Sequence, residues 1–85
     1  MEISEQELAQ ARDTVEELLR QLGLSAYLFA VEPRADHWEV RVECTPNGSW
    51  RSSVFSVEEE WLAACRTNRT ARNALLAEWD KHLRI

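Results

Sequence analysis

The sequence predicts an α+β domain with the element order α-β-β-β-α-α, in which a three-stranded antiparallel meander carries its helices on one face. Three observations lead there: two helix-start patterns at Ser4 and Ser56, a strictly alternating segment at residues 37–44, and short turn-forming stretches on either side of that segment. The 85 residues, 45% apolar and 29% charged, are expected to form one small globular domain over 1–85 with a single core.

Ser4 followed by Glu7 is a capping box, and Ile3 and Leu8 occupy the two positions of a hydrophobic staple, so a helix is expected from about Glu5. Leu8, Ala11, Val15, Leu18, Leu19 and Leu22 then share one stripe at 100° per residue, and the charges fill the remaining arc. Gly23 terminates this helix as a residue able to adopt positive φ, and Leu24 can fold back onto it.

Residues 27–32 are rich in strand-forming side chains, and Pro33-Arg34-Ala35-Asp36 predicts a turn with the proline at its first central position. In the next segment Trp38, Val40, Val42 and Cys44 alternate with His37, Glu39, Arg41 and Glu43, which requires one face on a core and the other in water. A second turn is expected at Thr45-Pro46-Asn47-Gly48-Ser49, followed by a third strand over 50–55. Three strands on short connections make a meander.

Ser56 and Glu59 predict a second capping box, with Glu58, Glu59 and Glu60 placed where a helix dipole favours negative charge. Val57, Trp61, Ala64, Cys65, Leu75, Leu76, Trp79 and Leu83 stay in phase beyond it, with Asn68 and Arg72 on the same stripe. An unbroken helix over 57–84 would be about 42 Å long, more than so small a domain accommodates, so a break near residues 67–70 is favoured over one continuous helix. A continuous helix would instead make the stripe 61, 65, 68, 72, 75, 79 a coiled-coil-like seam.

A helix, a three-stranded meander and a following helix is an order that resembles the double-stranded-RNA-binding domain. That family is known for a basic cluster at the start of its second helix, set against phosphates. Here Glu58-Glu59-Glu60 stand at that position, so the resemblance implies the topology without that mode of RNA binding.

Residues 1–63 hold 13 acids and 5 bases, a net of −8, whereas residues 64–85 hold 2 acids and 5 bases, a net of +3. An acidic body of this kind repels nucleic acid and anionic membranes, with one basic end as the exception. No stretch has the roughly 20 apolar residues of a membrane span, and the acidic start of the chain is unlike a signal peptide, so a cytoplasmic protein is expected. Cys44 and Cys65 are far apart and outside any Cys-x-x-Cys unit, which predicts two reduced, buried thiols.

The two glycines, Gly23 and Gly48, serve a cap and a turn, which excludes a glycine-rich phosphate loop. His37 and His82 lack partners at metal-ligand spacing; the first is expected at the surface and the second partly buried beside Trp79 and Leu83. Glu39 and Glu43 share a strand face but lie about 13 Å apart at the strand rise, too far for paired acid–base work. No catalytic residue, cofactor, metal or small-molecule substrate is therefore expected, and the chain is not expected to be an enzyme.

What remains is a surface. Trp38, Trp61 and Trp79 fall on apolar stripes and are expected in the core, whereas Trp50 opens a strand beside a glycine turn, where the pattern does not require burial. Arg66, Arg69 and Arg72 recur at helical spacing, and Asn68 and Arg72 interrupt the apolar stripe. The expected function is thus a small protein-interaction module, an adaptor, subunit or inhibitor, with Arg66, Asn68, Arg69, Arg72 and Trp50 as its partner-binding candidates. The partner is another protein or a second copy. The alternative is an anion or nucleic-acid binder acting through the helix with Arg66, Arg69 and Arg72.

Overall fold

In the computed structural model, which describes residues 3–24, 27–45 and 49–83, helix α1 (Glu5–Leu22) is followed by strands β1 (Tyr27–Pro33), β2 (His37–Cys44) and β3 (Arg51–Glu58) and by helices α2 (Glu59–Ala64) and α3 (Arg69–Leu83). The order is α-β-β-β-α-α, and the three strands form one antiparallel meander in the order β1-β2-β3. The expected α+β architecture is the one observed.

Helix α1 begins and ends where its local chemistry places it. The Ser4 hydroxyl accepts the Glu7 N–H at 3.1 Å, and Gly23, at φ 70°, donates its N–H to the Arg20 carbonyl at 3.1 Å. Between these caps Ala11, Val15, Leu18, Leu19 and Leu22 are buried.

In β2 the alternation resolves as expected, with Trp38, Val40, Val42 and Cys44 all buried. These residues join α1, Val31, Val57, Leu62, Cys65, Leu75, Trp79 and Leu83 in one core cluster. Phe55 of β3 stacks on Trp79 of α3, with ring centroids 5.3 Å apart, so the helices lie on the face that β2 turns inward. The opposite face carries Leu28, Ala30, Arg41, Ser52, Val54 and Ser56, all exposed. Among the described residues no helix is long and apolar enough to cross a membrane.

Some local expectations are corrected. Pro33 is not the first central residue of a turn: it ends β1 opposite Trp38, and the hairpin closes with the Arg34 N–H donating to the His37 carbonyl at 2.9 Å around Ala35 and Asp36. Proline is tolerated there because β1 is an edge strand and Pro33, next to the hydrogen-bonded pair Arg34–His37, turns its nitrogen to the open side, where no ladder needs an N–H. The turn expected at Thr45–Ser49 falls largely on residues 46–48, outside the described residues.

Strand β3 runs three residues further than expected, to Glu58, and consumes the second capping box. Ser56 pairs with Glu39 and Val57 with Trp38, so Ser56 is in the ladder, and Glu58 precedes α2 without a side-chain cap. Burial of Val57 against the sheet outweighs one capping hydrogen bond, about 1.5 to 3 kcal/mol against about 1 kcal/mol.

The expected break of the long helix is present, at residues 65–68, but the apolar phase read across it is corrected. Because Val57 belongs to a strand and α3 starts a new axis, the phase read from Val57 to Leu83 does not hold through α2. Leu62 is buried, at 2% exposure, and Trp61, expected in the core, is 39% exposed. His82 likewise lies more open than expected, its ring 5.8 Å from Phe55 and its Nε2 3.7 Å from a Glu78 carboxylate oxygen.

Candidate functional site

The break between α2 and α3 is built from residues that favour local hydrogen bonds over a continued helix. After α2 the backbone tightens, with Arg66 N–H donating to Ala63 and Thr67 N–H to Ala64, and the Ala64 carbonyl also accepts from Asn68 at 2.8 Å. Asn68 then caps α3: its side-chain oxygen accepts the Ala71 N–H at 3.1 Å, and its carbonyl accepts the Arg72 N–H.

Arg72 closes the turn from the other side, its Nε donating to the Cys65 carbonyl at 3.1 Å. A last-turn carbonyl of a helix lacks an intrahelical donor, and here a guanidinium supplies one. Arg66 reaches across the molecule, donating from Nη1 to the Gln10 side-chain oxygen on α1 at 2.9 Å. These contacts hold the turn against the middle of α1, and the groove between them is lined by Asp13, Thr14, Glu17, Cys65, Arg66 and Arg72.

Four of the five expected partner-binding residues, Arg66, Asn68, Arg69 and Arg72, thus come together at this turn. They do not form the expected helical stripe, because Arg66 lies in the turn, Arg69 opens α3, and Asn68 and Arg72 have capping roles. The coiled-coil-like seam is likewise absent, since residues 61–64 and 69–79 belong to two helices with Cys65 and Asn68 in the turn between them. Trp50, 61% exposed, stands before β3, at the end of that strand opposite to the one that leads into α2, and is separate from the arginines.

Charge is unevenly handled across the molecule. Arg20 pairs with Glu16 and Glu17, and Arg34 pairs with Glu32 and Glu39 at 2.8 and 2.7 Å, which holds the Arg34 guanidinium even more firmly protonated than usual. The described residues place no carboxylate within ion-pair distance of Arg66, Arg69 or Arg72. Arg69 also adds its charge to the positive N-terminal end of α3, whose first turn holds no acid.

The thiol in this groove is not an activated one. Burial pushes the Cys65 thiol above its ordinary pKa, against the opposing effect of the nearby Arg72 charge. Away from the turn, His37 Nδ1 lies 2.7 Å from Asp36 Oδ1, and that hydrogen bond, with the histidine's charge, lowers the exposed Asp36 carboxyl below its ordinary range. Among the described residues no group of three or more His, Cys, Asp and Glu side chains is placed to hold a metal ion.

Sequence reasoning missed two participants, Gln10 and the Cys65 carbonyl. Gln10 is 56 positions from Arg66 and has no motif, and a backbone carbonyl becomes an acceptor only once the helix is known to stop there. No protein-family model matches the chain, and no curated protein or solved structure matches it significantly.

Proposed function

We propose that the protein is a small interaction module, an adaptor, subunit or inhibitor without chemistry of its own, that recognises an acidic segment of another protein at the α2–α3 turn. The observation that carries this reading is the set of three guanidinium groups, Arg66, Arg69 and Arg72, at one turn with no carboxylate among the described residues within ion-pair distance, in a chain of net charge −5. Asp13 and Glu17 line the same groove yet lie outside ion-pair distance of these guanidiniums, so a basic surface unpaired among the described residues favours an external acidic group. The two free, buried cysteines suit a reducing compartment, and we place the protein in the cytoplasm.

The test compares wild type with the double variant Arg66→Glu/Arg69→Glu, sparing Arg72 because it caps α2. With folding verified by circular dichroism, proteins that co-purify from the native cells with wild type are expected to be lost from the variant. An unchanged set of partners refutes this surface. The same arginines favour a second reading, binding of nucleic acid or another polyanion. In that case a labelled oligonucleotide binds with a log–log salt slope of about −2 to −3, as three phosphate contacts require, and no protein partner is needed.

A further inference from the structure

Strand β3 has one partner, β2, and among the described residues no strand pairs with its other edge. Free edges are usually blunted by proline, by charge or by a covering element. The β1 edge follows that rule, with Glu32 and Pro33 at its end. From Ser52 to Val57 the β3 edge has neither charge nor proline.

The register states which backbone groups are free. The Arg34 N–H bonds to the His37 carbonyl, so Arg34 and His37 are a hydrogen-bonded pair, and pairs alternate along an antiparallel ladder. His37, Glu39, Arg41 and Glu43 therefore direct their backbone groups toward β1, and Trp38, Val40, Val42 and Cys44 toward β3. Across the unbroken β2–β3 register these meet Val57, Phe55, Ser53 and Arg51. That leaves Ser52, Val54 and Ser56 with N–H and C=O directed away from the sheet.

We propose that this edge pairs antiparallel with β3 of a second copy, about a two-fold axis at Val54, joining two three-stranded sheets into one. An isologous contact must be self-complementary, and this row is a palindrome about Val54. Val54 meets Val54, Ser52 meets Ser56, and Ser53 meets Phe55, each pair on a common face as antiparallel pairing demands. Val54, 55% exposed, loses solvent at the axis, and Trp50 lands opposite Glu58 of the second copy.

Charge favours this edge for two acidic copies. No like charges oppose one another between Arg51 and Glu58, and antiparallel pairing sets the Arg51 end of each strand beside the Glu58-Glu59-Glu60 end of the other.

The experiment is solution mass by sedimentation across a series from about 1 µM to about 1 mM, the range that spans weak edge-to-edge contacts. Wild type is expected to approach twice 9.9 kDa as concentration rises. Val54→Pro removes an N–H that β2 does not use, and Val54→Lys sets like charges across the axis; both are expected to stay monomeric with a wild-type circular dichroism spectrum. The lysine variant, at a side chain already exposed, decides the matter if the proline variant does not fold. A wild type that stays monomeric throughout, or a dimer that survives Val54→Lys, overturns the proposal. Arg66→Glu/Arg69→Glu leaves the mass unchanged; a dimer lost in that variant but kept in Val54→Lys assigns self-association to the arginine surface and refutes the β3 edge.

Discussion

The Nε of Arg72, on the first turn of α3, donates a hydrogen bond of 3.1 Å to the carbonyl of Cys65, the residue at which α2 ends. One side chain therefore joins the end of one helix to the start of the next. Arg72→Met keeps the aliphatic stem and removes the donor, leaving a carbonyl at the buried Cys65 unsatisfied. A loss of about 1 to 3 kcal/mol in urea-derived stability is expected, the usual range for an unmade hydrogen bond in a partly buried place. No measurable change means that water replaces the guanidinium freely.

Asn68 caps α3 through its side-chain oxygen. Asn68→Ala is expected to lower stability by about 0.5 to 2 kcal/mol, whereas Asn68→Asp keeps an acceptor and places negative charge at the helix N-terminus. Thermal melts of the two variants decide it: equal losses rule out the cap.

The core assignment distinguishes neighbours. Leu18→Ala and Leu62→Ala each delete a fully buried side chain and are each expected to cost about 2 to 5 kcal/mol. Trp61→Ala removes a larger side chain that is part-exposed and is expected to cost less than Leu62→Ala. A reversed order, read from denaturant midpoints, would restore the phase that places Trp61 in the core.

Cys44 and Cys65 are both free and buried, so native labelling by a thiol reagent is expected to be slow and to accelerate in denaturant. Cys65 adds a pH dependence. Its folded-state pKa is raised, so the unfolded chain ionises first as pH climbs through the ordinary thiol value of about 8.5. The contribution is present below that value and is lost as pH rises toward the folded-state pKa. Stability measured from pH 8 upward is expected to fall less steeply in Cys65→Ala than in wild type; parallel curves refute this linkage.

Much of the fold is local and legible in the sequence alone. Ser4, Gly23 and the alternation from His37 to Cys44 act over a few residues, where capping geometry and the two-residue period of a strand are decisive on their own. The arginines at the α2–α3 turn were recognisable as an oddity for the same reason, being basic residues in an acidic chain. Other features depended on which long-range contact prevailed. Ser56 and Glu59 spell a capping box, yet Val57 buries itself opposite Trp38 and draws Ser56 into the sheet. Once β3 takes those residues, α2 starts later and Leu62 faces the core in place of Trp61. The arginine stripe was a projection onto one helix axis that the chain abandons at residues 65–68. Only tertiary packing could decide this, because burial of apolar area outweighs a single local hydrogen bond, and that burial is defined by partners distant in sequence.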